Sequence, residues 1–174
     1  MNYKSKIPAK VLTRIHEVLG PGWVNPVEKI LSNPRLQRLI EEGSVIDRKH
    51  DIPYLAGSNK TGGKTYIDRR LPARIEVDGK QIDPAKYLNV HEQVERELMV
   101  SLKIPYENAH KIAETYERLA VESDGVPWMA YERVLDGFIS ETEHERIKSA
   151  PKDLYAKPYS KVLKNRLKRH AELA

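Results

Sequence analysis

Four side chains in the second half of the chain have types and spacing that could do chemistry: His91, Glu92, Glu95 and His110. The segment from Asp83-Pro84 to about Leu102 reads as a helix, with an aspartate cap followed by proline at the first helical position. At ~100° per residue, Tyr87, Leu88, Val90, Val94, Leu98, Met99 and Leu102 form an apolar arc. His91 and Glu95 fall inside that arc, Glu92 sits at its edge, and Gln93, Arg96 and Glu97 lie outside it. A carboxylate on a core-facing stripe is costly to bury unless it is paired or holds a cation. Residues four apart on a helix are neighbours, about 5–6 Å apart, which suits two ligands of one metal ion. Pro105 then opens a second helix to about Ser123, with Tyr106, Ala109, Ala113, Tyr116 and Ala120 as its apolar face. His110 and Glu117 border that face, and Glu114 lies one turn beyond His110. The short link Lys103-Ile104 makes the two helices antiparallel neighbours, so His110 can face His91 and Glu95.

The run His91-Glu92-Gln93-Val94-Glu95 resembles the HExxH helix of the zincin metallohydrolases, with glutamate at the second ligand position, an HExxE pattern. In the gluzincin branch the third ligand lies on a following helix, where this chain has His110. The resemblance implies a zinc-dependent hydrolase of the metalloprotease type, with His91, Glu95 and His110 as ligands and Glu92 as general base. It also implies that Thr65-Tyr66-Ile67-Asp68-Arg69 forms the strand beside the cleft, with Asp68 or Glu114 orienting a ligand from behind. The chain is similar, too, to uncharacterised proteins of bacteria and their phages, a likeness that implies no mechanism.

Other readings of the same residues stay open. His91 and Glu95 could form a buried polar pair satisfied by each other, by Tyr66, or by Arg69 or Arg70. Glu107-x-x-His110 and Glu141-x-x-His144 have the spacing of di-iron helical bundles. The loop Gly57–Thr65 ends in Gly-Lys-Thr, but five residues separate its first and last glycines and a strand pattern follows, so a hairpin turn is expected rather than a phosphate loop. His50 with Asp51 is expected in an exposed loop, and His16 and His170 carry no argument.

The elements around the candidate site define an α+β class: N-terminal helices, a small antiparallel sheet and a helical C-terminal half, zincin-like in outline. Val11, Leu12, Ile15, Val18 and Leu19 have helical spacing, and Gly20-Pro21-Gly22 ends that helix. A short helix is expected near Pro26–Leu31, and another from Asn33-Pro34 to near Gly43. Val45–Asp47, Tyr54–Ala56, Thr65–Asp68 and Arg74–Val77 are expected strands, separated by glycine-rich turns and by Asp78-Gly79. A last long helix is expected from Pro127 to about Ile147.

The 174 residues, 40% hydrophobic and 32% charged, suit one folded domain over 1–150 followed by a basic tail over 151–174. The whole net charge of +5 resides in that tail. Its Lys157, Lys161, Lys164, Arg166, Lys168 and Arg169, with Tyr155 and Tyr159, could contact phosphates and bases, or dock on a protein partner. A structural or adaptor protein using that tail is thus the alternative to an enzyme. With no cysteine, disulfides and thiolate zinc sites are excluded. No apolar run reaches the ~18 residues of a membrane span. The leading MNYKSKIPAK lacks the apolar core of a secretory signal, so a cytoplasmic address is expected.

Overall fold

The structure, a computed structural model, describes residues 7–142 and 150–157. Three short helices come first: α1 (Ala9–Leu19), α2 (Val24–Leu31) and α3 (Pro34–Glu41). Gly20 stops α1 with φ of 93°, a conformation that glycine adopts without penalty, and a single 3₁₀ turn leads into α2. Asn33 caps α3 as expected, its side chain accepting from the backbone N–H of Arg35 and Leu36. Five short strands come next: β1 (Val45–Asp47), β2 (Ala56–Ser58), β3 (Lys64–Ile67), β4 (Ile75–Val77) and β5 (Lys80–Ile82). Three longer helices complete the described fold: α4 (Pro84–Leu102), α5 (Tyr106–Ser123) and α6 (Trp128–Thr142). The α+β class is therefore as expected, and among the described residues no helix is long and apolar enough to cross a membrane.

The strands do not form the single antiparallel sheet that the sequence suggested. They make a three-stranded mixed sheet in the order β1-β3-β2 and a separate two-stranded hairpin of β4 and β5. β2 and β3 are antiparallel, joined by the Gly57–Thr65 hairpin, whereas β1 runs parallel to β3. Only antiparallel neighbours can be joined by a tight turn. The long 48–63 connection lets the chain pass to the far side of β3, lay down β2, and return.

α4 is the central element. Its first turns pack Ala85, Tyr87 and Leu88 into a core shared with β4, β5 and α6. Further along, Val90, Val94 and Leu98 belong to a second core with α1, α2, α3 and α5. The mixed sheet covers a third side through β2 and β3. The helix is consequently buried almost all round, and Gln93 and Arg96, expected outside the apolar arc, are buried as well. Gln93 Oε1 accepts from Gly63 N at 3.2 Å and its amide donates to Thr65 Oγ1 at 3.0 Å, while Arg96 donates to the Lys60 carbonyl. Backbone groups of the β2–β3 turn, with the Thr65 hydroxyl, thus satisfy the polar side of the helix.

The first part of the basic segment also belongs to this assembly. Residues 150–157 lie along β2: Lys60 N donates to Asp153 O at 2.7 Å, Tyr155 N donates to Ser58 O at 2.8 Å, and Asn59 and Leu154 form an antiparallel bridge between them. Tyr66 Oη donates to Asp153 at 2.5 Å. Lys157, assigned from sequence to phosphate contact, turns inward instead, its side chain 11% exposed. Tyr159, Lys161, Lys164, Arg166, Lys168, Arg169 and His144 lie outside the described residues, as does the end expected for the last helix.

Candidate metal centre

α4 and α5 lie side by side and antiparallel, joined through Lys103 in the left-handed conformation (φ 55°) and Pro105. Small residues such as Ala109 and Ala113 let the helices approach closely. The pairing sets His91 against Glu117 and Glu95 against His110. His91 Nε2 is 3.0 Å from Glu95 Oε2 and 3.1 Å from His110 Nδ1, and His110 Nδ1 is 2.9 Å from the same Glu95 oxygen. One ligand atom from each of these three residues lies within 4.8 Å of the others, close enough to hold a single metal ion. His91 and Glu95 are buried, whereas the His110 side chain is 40% exposed and gives the cluster its open side.

The far side of His91 is held from α5. Its Nδ1 lies 2.7 Å from Glu117 Oε2, and Tyr131 of α6 donates to the other oxygen of Glu117 at 2.8 Å. A carboxylate on one imidazole nitrogen fixes the ring and aims the other nitrogen, here Nε2, at Glu95 and His110. Glu117 therefore takes the orienting place assigned from sequence to Asp68 or Glu114. Asp68 is committed elsewhere, to Arg70 and the Ile52 N–H.

Glu92 sits beside this group rather than in it. Its Oε1 accepts from Lys157 Nζ at 2.7 Å, and the same ammonium lies 3.3 Å from Glu95 Oε1. Tyr54 completes the pocket, its ring centroid 5.1 Å from Nζ. Three buried carboxylates, Glu92, Glu95 and Glu117, thus meet two cationic partners, His91 and Lys157.

Burial alone would strip the charge from each of these groups, and their pairing decides otherwise. Burial lowers the His91 pKa, but Glu117 and Glu95 outweigh it and raise it to about 10. Burial raises Glu95, yet Lys157, His110 and His91 hold it well below the usual carboxylate range. For Glu92 burial prevails over Lys157, and its pKa is pushed up to about 7. Lys157 is driven above its ordinary value, because Glu92 and Glu95 more than offset its desolvation.

The other candidate residues separate from this site. Tyr66 bonds Asp153, Arg69 pairs with Asp51, and Arg70 pairs with Asp68, so none of them satisfies His91 or Glu95. Glu107 is exposed and outside the cluster, which removes one arm of the di-iron spacing. The side chain of Glu141 is outside the described residues. His50 pairs with Asp47 rather than Asp51. The Gly57–Thr65 segment is a hairpin, as expected.

No family model, curated protein or solved structure matches the chain. The donor set itself, two imidazole nitrogens and one carboxylate oxygen, suits a borderline-soft divalent ion. Bonds of about 2.0–2.1 Å in a tetrahedron place ligand atoms about 3.3 Å apart. The three atoms here are a few tenths of an ångström closer, within reach of small rotations. A divalent ion replacing the His91 proton would also balance the three carboxylates once Lys157 is counted.

Proposed function

We propose that the chain is a zinc-dependent hydrolase acting on peptide bonds. In this reading His91, Glu95 and His110 are the metal ligands and Glu92 is the general base. One observation carries it: the three ligand atoms converge on one point while Glu117 holds the opposite nitrogen of His91. A zinc ion held there supplies Lewis acidity toward a carbonyl oxygen. Glu92 is suited to take a proton from an attacking water and pass it to the leaving amine, because burial places its pKa near neutrality, at about 7. Glu117 keeps His91 in the tautomer that ligation needs, and the exposed edge of His110 gives solvent and ion a way in.

A structural ion-pair cluster is the second reading. It is favoured by the way Glu117, Glu95 and Lys157 satisfy the group without any ion.

Elemental analysis of protein purified without a metal-affinity tag separates the two. The hydrolase reading expects near-stoichiometric zinc that is lost in a His91→Ala/His110→Ala variant. It also expects a Glu92→Gln variant that keeps zinc but no longer cleaves peptides. Protein that takes up no zinc even after incubation with the ion overturns it and leaves the structural cluster.

A further inference from the structure

The 150–157 segment lies on the sheet as a bound peptide would. β2 is an edge strand, and an edge offers unpaired N–H and C=O groups to an added strand. Ser58, Asn59 and Lys60 meet Tyr155, Leu154 and Asp153 in antiparallel register. Tyr54 then grips the backbone of the next contact residue twice, accepting from Lys157 N at 3.0 Å and donating to Lys157 O at 3.4 Å. These contacts read main chain and are indifferent to side-chain identity.

Three side-chain contacts add selectivity. Tyr66 binds the carboxylate of Asp153. Leu154 lies over Gly57, where a Cβ would stand only 2.8 Å from its Cδ1, so the absence of a side chain there makes the seat. The Lys157 ammonium enters a pocket made by Glu92, Glu95 and the Tyr54 ring.

We propose that this edge and pocket form a peptide-binding site whose ligand class is an extended segment carrying a lysine, and that residues 150–157 occupy it in cis as an internal stand-in for that ligand. The features preferred are an acidic residue, an aliphatic residue directly after it, and lysine three positions beyond the aliphatic one. The lysine ammonium covers the carboxylate assigned as general base, so a seated strap and a working site exclude one another. The proposal deepens the hydrolase reading and rests on it for one consequence, that a segment seating its lysine there, in cis or in trans, blocks turnover; binding can be measured alone.

The probe is a fluorescein-labelled octapeptide with the sequence of residues 150–157, titrated by anisotropy into the full chain. A Leu154→Gly/Lys157→Ala variant, which weakens the strap and leaves the pocket intact, is expected to bind it at least tenfold more tightly than the wild type. Replacing the final lysine of the probe by norleucine is expected to cost at least tenfold. Equal binding by the two proteins, or equal binding of the two probes, overturns the proposal. Hydrogen exchange on the wild-type chain gives a readout that needs no variant to fold. Excess octapeptide is expected to speed deuterium uptake over 150–157 at least threefold, and the norleucine form is not; no change overturns the proposal. Lysine-dependent binding by a zinc-loaded protein that cleaves no other peptide substrate would count against the hydrolase reading alone.

Discussion

Glu117 reaches across from α5 to within 2.7 Å of His91 Nδ1, one turn of α4 away from where His110 meets Glu95. The two contacts hold the helices at two successive levels, and Glu117 engages the imidazole nitrogen that faces away from the candidate metal position. Removing the Glu117 charge should therefore weaken metal binding without removing a ligand. Glu117→Gln is expected to lower zinc affinity about 10–100-fold, the usual consequence of losing a carboxylate behind a ligating imidazole. Competition with a chromophoric chelator measures it, and an unchanged affinity would remove Glu117 from the orienting role.

In metal-free protein the same contacts make stability depend on pH. The His91 pKa rises from 6.5 to about 10 on folding, so between those values the folded chain holds a proton that the unfolded chain has lost. The stabilisation is fully present below about 6.5 and disappears as pH climbs through about 10. Urea unfolding of wild type and His91→Gln, both in chelator, should show the wild-type advantage shrinking across that window. Taking the difference removes the titration of other groups common to both. A constant advantage from pH 6 to pH 10 would mean that His91 is not charged in the fold.

Much of this was legible in the sequence, and the features that were not share a cause. The limits of α4 come from Asp83-Pro84 at one end and from the end of the apolar arc at Leu102. His91 and Glu95 announced themselves by lying in that arc, and His110 by the short link to α5. Those signals are local. Gln93 and Arg96 were placed outside because a single apolar stripe describes a helix on a surface, whereas α4 is enclosed on its polar side by the turn after β2. Lys157 gave no signal, since a lysine in a basic run reads as solvated until a distant edge strand receives its backbone. The parallel pairing of β1 with β3 was hidden for the same reason, as no turn residue marks a crossover.

Gln93 illustrates how such an enclosed polar side chain should behave. It accepts from Gly63 N and donates to Lys64 O and Thr65 Oγ1, all contributed by the hairpin that bears the strap. Gln93→Ala takes its partner from the Gly63 N–H, while Lys64 O keeps Asn59 N and Thr65 Oγ1 keeps Ser44 and Asn89, and should cost about 1–3 kcal/mol. Gln93→Glu keeps the size but replaces the donor with a carboxylate facing the Lys64 carbonyl, and should cost more. Urea midpoints rank the two variants; a neutral Gln93→Ala would show that water replaces the lost bonds.

Glu92 offers the sharpest test of the site in action, because its environment sets opposing demands. A general base must be ionised, and burial pushes this carboxyl up to about 7 while Lys157 pulls the other way. A zinc ion nearby would add to the pull of Lys157. The acid limb of kcat/KM for peptide hydrolysis should therefore fall no higher than about pH 7, with activity rising as Glu92 loses its proton. Glu92→Gln should reduce turnover about 10²–10⁴-fold at all pH values, the range ordinary for loss of a positioned base. Lys157→Met removes the cation while keeping the bulk of the side chain, so the limb should move to higher pH as desolvation goes unopposed. At the same time the covering ammonium is gone, and activity above the limb should rise. A limb that stays in place in Lys157→Met would show that the ammonium does not rest on Glu92 in the free protein, whose ionisation kcat/KM reports. A rise in activity without that shift would assign Lys157 to steric blockade alone.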